Sequence, residues 1–546
     1  MKSLLLPALV LGLTLSFIPF TQGVSAAELT ITAKKQSSAA GIGLQNIADW
    51  STQFPFLDQM KLSREWYDWD RNSSDGITVD EHGWVTAIKA GVKPAVVFLT
   101  LSEDIPLIYK HYIVRWEGKG RLEYDWCVEK AGRAKGGDRI RIRGSDSCLL
   151  RIAKSDPRDP IRNITVVPEK HIDAFDQGAV FNPDFIAKIQ GFRAIRFMDW
   201  MQTNKTNQKV WSDRPEPNDR SYAKNGVPVE VMLALANQVT ASPWFNMPHI
   251  ADLDYMKQFA QIVKDQLKPE LTAYVEHSNE TWNWVFPQAQ YSLEAGKRLF
   301  NAEGDAYLQW HGMRTAQMCD VWKRDVFKTE ADRVACVLGV QAGWPGAEQA
   351  TLDCPLWAKN GNKACFEHGL DAIAITGYFS GCLSGGENKK HQKQVAGWTR
   401  LKDHGMSKAY EQVVDGRHFE CEDTLGDVNK YYEYFVKEGK KRGLSVVAYE
   451  GGQHITSNFG QTQDDKRFSD LHIGLNRSPY MKKLYEKNFE NWRNAGGTLF
   501  MHFVDIASYS KYGSWGALEY VTQESSPKWE ALMEFNQTPC WWENCQ

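Results

Sequence analysis

Two glutamates stand out for their surroundings. In Tyr274-Val-Glu-His-Ser-Asn-Glu-Thr-Trp-Asn283 an apolar run ends in Asn279-Glu280, with aromatics close behind. In Leu444-Ser-Val-Val-Ala-Tyr-Glu450 a second apolar run ends in Glu450 and is followed by Gly451-Gly452. Two carboxyl groups, one delivering a proton and one attacking as the carboxylate, are the groups needed to cleave a glycosidic bond. A single glutamate is more often a surface salt-bridge partner. Two at the ends of buried strand-like runs call for a scaffold that brings strand ends to one rim, as a β/α barrel does. Glu276 competes with Glu280 for the role of acid, because its alternation with Tyr274 can turn it inward, but no Asn precedes it.

The elements that must position this pair follow from the hydrophobic pattern. Residues 41–46 read as a first strand and 56–66 as a helix after it. Runs at 192–197, 242–246, 271–276, 334–340, 371–376, 444–449 and 498–503 supply seven more strands. Helical patterns lie between them at 182–190, 229–238, 253–267, 431–442 and 480–494, with a closing helix at 529–535. Eight apolar strands separated by helices predict a parallel (β/α)8 barrel, the TIM barrel, rather than a sandwich. A doubly wound sheet is the rival, but Gly41-Ile-Gly-Leu-Gln-Asn46 lacks the third glycine of a phosphate loop. Between about 75 and 175 the period changes to two, with turns such as Glu117-Gly-Lys-Gly120. This predicts a β-sandwich inserted between the first two barrel strands, either a carbohydrate-binding module or a structural wall of the cleft. The expected organisation is therefore a signal peptide at 1–26, the first barrel strand and helix at 28–74, the insert at 75–175 and the rest of the catalytic barrel at 176–546.

The Asn279-Glu280 pair at the end of strand four and Glu450 at the end of strand seven resemble the clan-A glycoside hydrolases, the retaining TIM-barrel glycosidases that include cellulases and xylanases. The resemblance implies Glu280 as acid/base and Glu450 as nucleophile. It also implies Asn279 at the sugar 2-hydroxyl, Arg196 beside the nucleophile and Tyr378 hydrogen-bonded to it. Trp244, Asn246 and His249, which follow strand three, are candidate substrate contacts, and Trp515 a candidate aromatic floor for the cleavage subsite. His249 can equally be a structural hydrogen-bond donor. After strand eight either His502 or Asp505 faces the site. The Cys- and Gly-rich loops at 343–370 and 377–430 depart from a compact barrel enzyme and leave the glycan open.

Composition narrows the setting. Lys2, the apolar run 4–20 and Val24-Ser-Ala-Ala27 form a signal-peptide pattern. Ten cysteines fit an oxidising compartment, with nearest-neighbour pairing Cys127–Cys148, Cys319–Cys336, Cys354–Cys365, Cys382–Cys421 and Cys540–Cys545 as the expectation. Their spacing matches no zinc site. A net charge of −3, from 64 basic and 67 acidic residues, gives no footprint for nucleic acid. Twenty-one tryptophans suit sugar stacking, although most such rings belong to cores. Metalloprotease, ATPase and lipase motifs are absent from the sequence. The expectation is a secreted or periplasmic retaining glycoside hydrolase that acts on β-linkages of a polysaccharide or oligosaccharide. It would use no cofactor or metal, bind no nucleic acid and, once mature, no membrane. The alternative is a non-catalytic carbohydrate-binding protein on the same scaffold.

Overall fold

Eight parallel strands close into a barrel in the computed structural model, which describes residues 38–457, 461–542 and 545. They are β1 (Ala40–Gly43), β2 (Ala194–Arg196), β3 (Ser242–Met247), β4 (Ala273–His277), β5 (Val334–Gly339), β6 (Ala372–Phe379), β7 (Ser445–Gln453) and β8 (Phe500–His502). Each pairs with its neighbours in sequence order, and β1 closes on β8 through Ala40↔Phe500. The fold is thus the (β/α)8 barrel expected from the alternation of strands and helices. The signal peptide expected at 1–26 lies outside the described residues, and among those residues no helix is long and apolar enough to cross a membrane.

Alternating side chains divide two cores. Ala194, Trp244, Val337, Ala374, Val447 and Met501 fill the barrel interior. The opposite faces pack on helices, where Phe500 meets Phe489, Trp492 and Phe535. Helix ends carry ordinary stop and start signals. Thr424 accepts from Asp427 N at 3.2 Å to open Leu425–Arg442, which stops at Gly443 with φ of 69°. Asp252 opens Leu253–Gln266 by accepting from Tyr255 N at 2.7 Å.

One expected helix is absent. Residues 56–66 contain only a short 3-10 turn, Gln59–Leu62. The backbone there pairs sideways instead: Leu57 N donates to Val180 O, Arg64 N to Val97 O and Tyr67 N to Ala95 O. Tertiary partners satisfy these groups, so a helix has no claim on them.

Between β1 and β2 lie three antiparallel sheets. One orders Arg162–Pro168, His111–Glu117, Gly137–Ile142 and Val128–Ala134; another orders Ala95–Leu101, Asp146–Ser155 and Gly120–Trp126. A ribbon of Ile77–Val79 and Val85–Ile88 completes the set. Their apolar side chains, Phe98, Val114, Ile140 and Leu150 among them, belong to the same contiguous core as the outer face of the barrel. All ten cysteines pair, in the five nearest-neighbour combinations.

Candidate active site

Arg196, the last residue of β2, is the hub. Its Nη1 donates to Glu450 Oε1 at 2.5 Å, and its Nη2 donates to Glu276 Oε2 and to Asn279 Oδ1, both at 2.9 Å. The guanidinium also lies over the rings of Tyr449 and Trp244, 5.1 and 5.7 Å from their centroids. A buried cation needs compensating charge, and two carboxylates supply it.

Glu276 is thereby accounted for. Its Oε2 accepts from Trp244 Nε1 at 2.9 Å and from Asn246 Nδ2 at 2.8 Å, in addition to Arg196. Three donors on one buried oxygen make this carboxylate a fixed counterion that holds the ends of β2 and β3. Trp244 and Asn246 consequently face Glu276 inside the barrel, both fully buried. Neither presents a surface to a ligand in this state.

Glu450 owes its direction to an irregularity in β7. The pairing of β6 with β7 runs Ile375↔Ala448 and then Thr376↔Glu450, so Tyr449 is an extra residue. Strict alternation would send Tyr449 and Glu450 to opposite faces, whereas a bulge lets consecutive side chains reach one side. Tyr449 OH donates to Glu280 Oε1 at 2.8 Å, while Tyr378 OH donates to Glu450 Oε2 at 2.9 Å. Glu280 itself has φ of 43°, two residues after Ser278 with φ of 63°. Left-handed backbone at two non-glycine residues is uncommon and clusters at working sites. Asn283 Nδ2 holds the other Glu280 oxygen at 2.8 Å.

The two glutamates lie close enough to feel each other's charge. Burial pushes the Glu450 carboxyl up to about 7, Arg196 pulls it down, the charge of Glu280 pushes it up again, and the Tyr378 hydrogen bond opposes. Asn279 is held from behind by Nδ2 donating to Asn204 Oδ1 at 3.1 Å, and Gln288 Nε2 donates to Asn204 Oδ1 and to Asn279 O. On the other flank Trp515 Nε1 donates to His454 Nδ1 at 3.2 Å, and the His454 ring lies 5.0 Å from that of Tyr378. A cavity of about 160 Å3 opens beside Tyr378 and His454, lined further by Ser380, Asp423 and Tyr431.

The structure therefore brings together Glu280, Glu450, Asn279, Arg196, Trp244, Asn246 and Tyr378, with Trp515 reaching the group through His454. His249 stands apart, against Tyr291 with ring centroids 5.1 Å apart, in a different cavity. His502, the last residue of β8, turns to the helix layer and meets Tyr485 OH at 3.0 Å. Asp505 sits at the end of β1, accepting from Gln45 N at 2.9 Å. Tyr449, Asn283, Asn204, Gln288 and His454 were not anticipated. Tyr449 and His454 carried a sequence signal in their closeness to Glu450, and Asn283 in its closeness to Glu280. Among the described residues no cluster of His, Cys, Asp or Glu has the arrangement of a metal site.

No family model matches the chain. No curated protein matches it either. Among solved structures it is similar to a GH51 arabinofuranosidase from Xanthomonas axonopodis pv. citri, at 11% identity over 64% of this chain and 65% of that one, with a TM-score of 0.34. It is similar to xylanase 10B from Thermotoga maritima, at 11% identity over 65% and 89% of the two chains, with a TM-score of 0.33. A family 51 alpha-L-arabinofuranosidase from Bifidobacterium longum shows 9% identity over 68% and 66%, with a TM-score of 0.37. The chain spans about two thirds of the length of the two arabinofuranosidases. Identities this low transfer neither substrate nor residue roles.

Proposed function

We propose that the protein is a glycoside hydrolase of the clan-A type, secreted, retaining, and acting on β-glycosidic bonds of a polysaccharide. The observation that carries the reading is the asymmetric seating of two neighbouring carboxyls at one end of the barrel. Glu450 is braced by a cation and a phenol, Arg196 and Tyr378, whereas Glu280 is held only by neutral donors, Tyr449 and Asn283. Arg196 favours negative charge on Glu450, which suits a nucleophile. Glu280, free of a cationic partner, suits proton delivery to the departing oxygen.

In the first step a Glu450 oxygen bonds to the anomeric carbon as the bond to the leaving oxygen breaks, and that oxygen takes the Glu280 proton. In the second step Glu280 removes a proton from water, whose oxygen displaces Glu450 and restores the starting configuration. In this reading Asn279, held by Arg196 and Asn204, binds the neighbouring sugar hydroxyl. Tyr378 releases its hydrogen bond to Glu450 as the carboxylate becomes an ester. Trp515 and His454 are proposed as the wall on which the sugar ring rests.

A screen of β-glucan, cellulose and xylan, with NMR of the first anomer released, tests the reading. Product with retained configuration is expected. Inverted product would remove Glu450 as nucleophile, and binding without any product would favour the carbohydrate-binding alternative. Glu280→Gln and Glu450→Gln are each expected to lose several orders of magnitude in kcat with the fold intact. A substrate with a good leaving group should restore the first step to Glu280→Gln and leave Glu450→Gln inactive.

A further inference from the structure

A second cavity, of about 700 Å3, lies between the segment after β3, helices Pro287–Phe300 and Ala306–Cys319, and the loop closed by Cys354–Cys365. It shares no lining residue with the Glu280 and Glu450 site. Its volume falls in the range of small-molecule sites. The chemistry of its walls is one-sided: Arg298 and Arg314 line it, and no aspartate or glutamate does.

Neither arginine forms an ion pair among the described residues. Arg314 gives its hydrogen bonds to neutral oxygens, Ala251 O at 2.8 Å and Gln317 Oε1 at 2.7 Å. The carboxylate whose charge Arg314 feels, Asp252, is engaged in capping Leu253–Gln266. His249 completes the polar set. It is 6% exposed, and its Nδ1 has no hydrogen-bond partner. A buried polar atom left unpaired costs free energy that a ligand oxygen or hydroxyl would recover.

Aromatic faces supply the rest. Tyr291 stands between His249 and Trp310, with ring centroids 5.1 and 5.6 Å away. Trp357 lines the cavity from the disulfide-closed loop, which also brings Asn360 and Asn362 to it. Aromatic faces stack on the C–H face of a sugar, amides pair with hydroxyls, and guanidinium groups bind carboxylate.

We propose that this cavity is a binding site for a uronic-acid unit of an acidic glycan, with the sugar carboxylate at Arg298 and Arg314 and a ring hydroxyl at His249. The preference for an anion stands on the walls alone. The choice of a sugar ring rests on the glycosidase reading.

The test uses cellobiouronic acid and neutral cellobiose, which share a skeleton and differ in the carboxylate. Calorimetry on the full chain carrying Glu280→Gln avoids turnover. The acid is expected to bind, more weakly as salt is raised, and cellobiose to bind at least about tenfold more weakly. Arg298→Gln, at an exposed position that leaves the core untouched, should weaken the acid by a similar factor and leave cellobiose unaffected. Trp357→Ala should weaken both. Equal affinity for the two sugars, no binding of the acid, or unchanged binding in Arg298→Gln would each overturn the proposal. An enzyme that cleaves neutral glycan but binds no uronate sinks only this site. A chain that binds the uronate and cleaves nothing sinks only the glycosidase reading.

Discussion

At the scale of the residue, charge placement sets pH behaviour. Burial pushes the Glu450 carboxyl above the ordinary carboxylate range, and it must lose its proton to attack, so the acid-side limb of kcat/KM is expected above the usual pH of a free carboxylate. In the active form Glu280 carries its proton and is neutral, so Glu280→Gln, assayed on a substrate with a good leaving group, is expected to keep that limb in place. A limb that moves down would mean that Glu280 is ionised while Glu450 titrates, against its role as the acid. Asp505 offers a separate test. Burial pushes it up to about 7 from the ordinary 3.8, backbone donors at Gln45 and Ile506 oppose, and the charge of Asp199 adds to the rise. The folded state prefers the neutral acid, so the stability this group contributes is full below about pH 4 and is lost as pH rises through 7. Asp505→Asn keeps the acceptor for Gln45 N and never charges. It should match the parent near pH 4 and exceed it at pH 8, by up to about 4 kcal/mol. Urea melts at the two pH values decide this, and a difference that does not grow with pH would refute it.

At the scale of the element, β6 and β7 approach each other through glycines. A Cβ on Gly377 would meet the Phe500 ring at 2.5 Å, and one on Gly451 would meet it at 2.3 Å. Phe500 fills the gap between these strands and helix Pro479–Ala495. Gly451→Ala should therefore displace that ring at a cost of about 1–3 kcal/mol, and reduce activity because Glu450 is its neighbour. Unaltered melting would show that the gap yields freely. The Cys382–Cys421 bridge closes a separation of 39 residues. In the loop-entropy account such a bridge contributes about 4 kcal/mol. Replacing both cysteines with serine should speed hydrogen exchange between 380 and 423 while β6 and β7 keep their protection. Faster exchange throughout the barrel would mean that the loop and barrel open as one.

At the scale of the whole molecule, the β-rich insert and the barrel are joined by more than chain connections. Asp58, on the segment after β1, accepts from Val166 N at 2.9 Å. Tyr109 OH lies 2.8 Å from the Nδ2 of Asn182, which donates to it, and donates in turn to Asp184 Oδ2 at 2.8 Å. Phe54 packs edge-on against Tyr109 at 5.6 Å. An excised 75–175 segment would expose this shared core, so it is expected to lack a cooperative melt. A sharp thermal transition in the isolated segment would show that its own sheets suffice.

The order of strands and helices, the two strand-end glutamates and the cysteine pairing were legible in the sequence, because each is local: a period, a spacing, or a nearest neighbour along the chain. The helix expected at 56–66 failed because its backbone bonds across to other strands, which no local period records. The same limit governs the site. In sequence only the preceding Asn279 favours Glu280 over Glu276 as the acid, and it is the convergence of Arg196, Trp244 and Asn246 on one oxygen that makes Glu276 a counterion. Tyr449 joins Glu450 at the mouth because of a single extra residue in the pairing with β6. His249, five residues after Glu276's partner Trp244, lies past the end of β3 and packs against Tyr291 instead of joining the Glu280 and Glu450 site. The side-chain pattern specifies what must be buried; which groups meet there depends on strand register and closure, and those exist only in three dimensions.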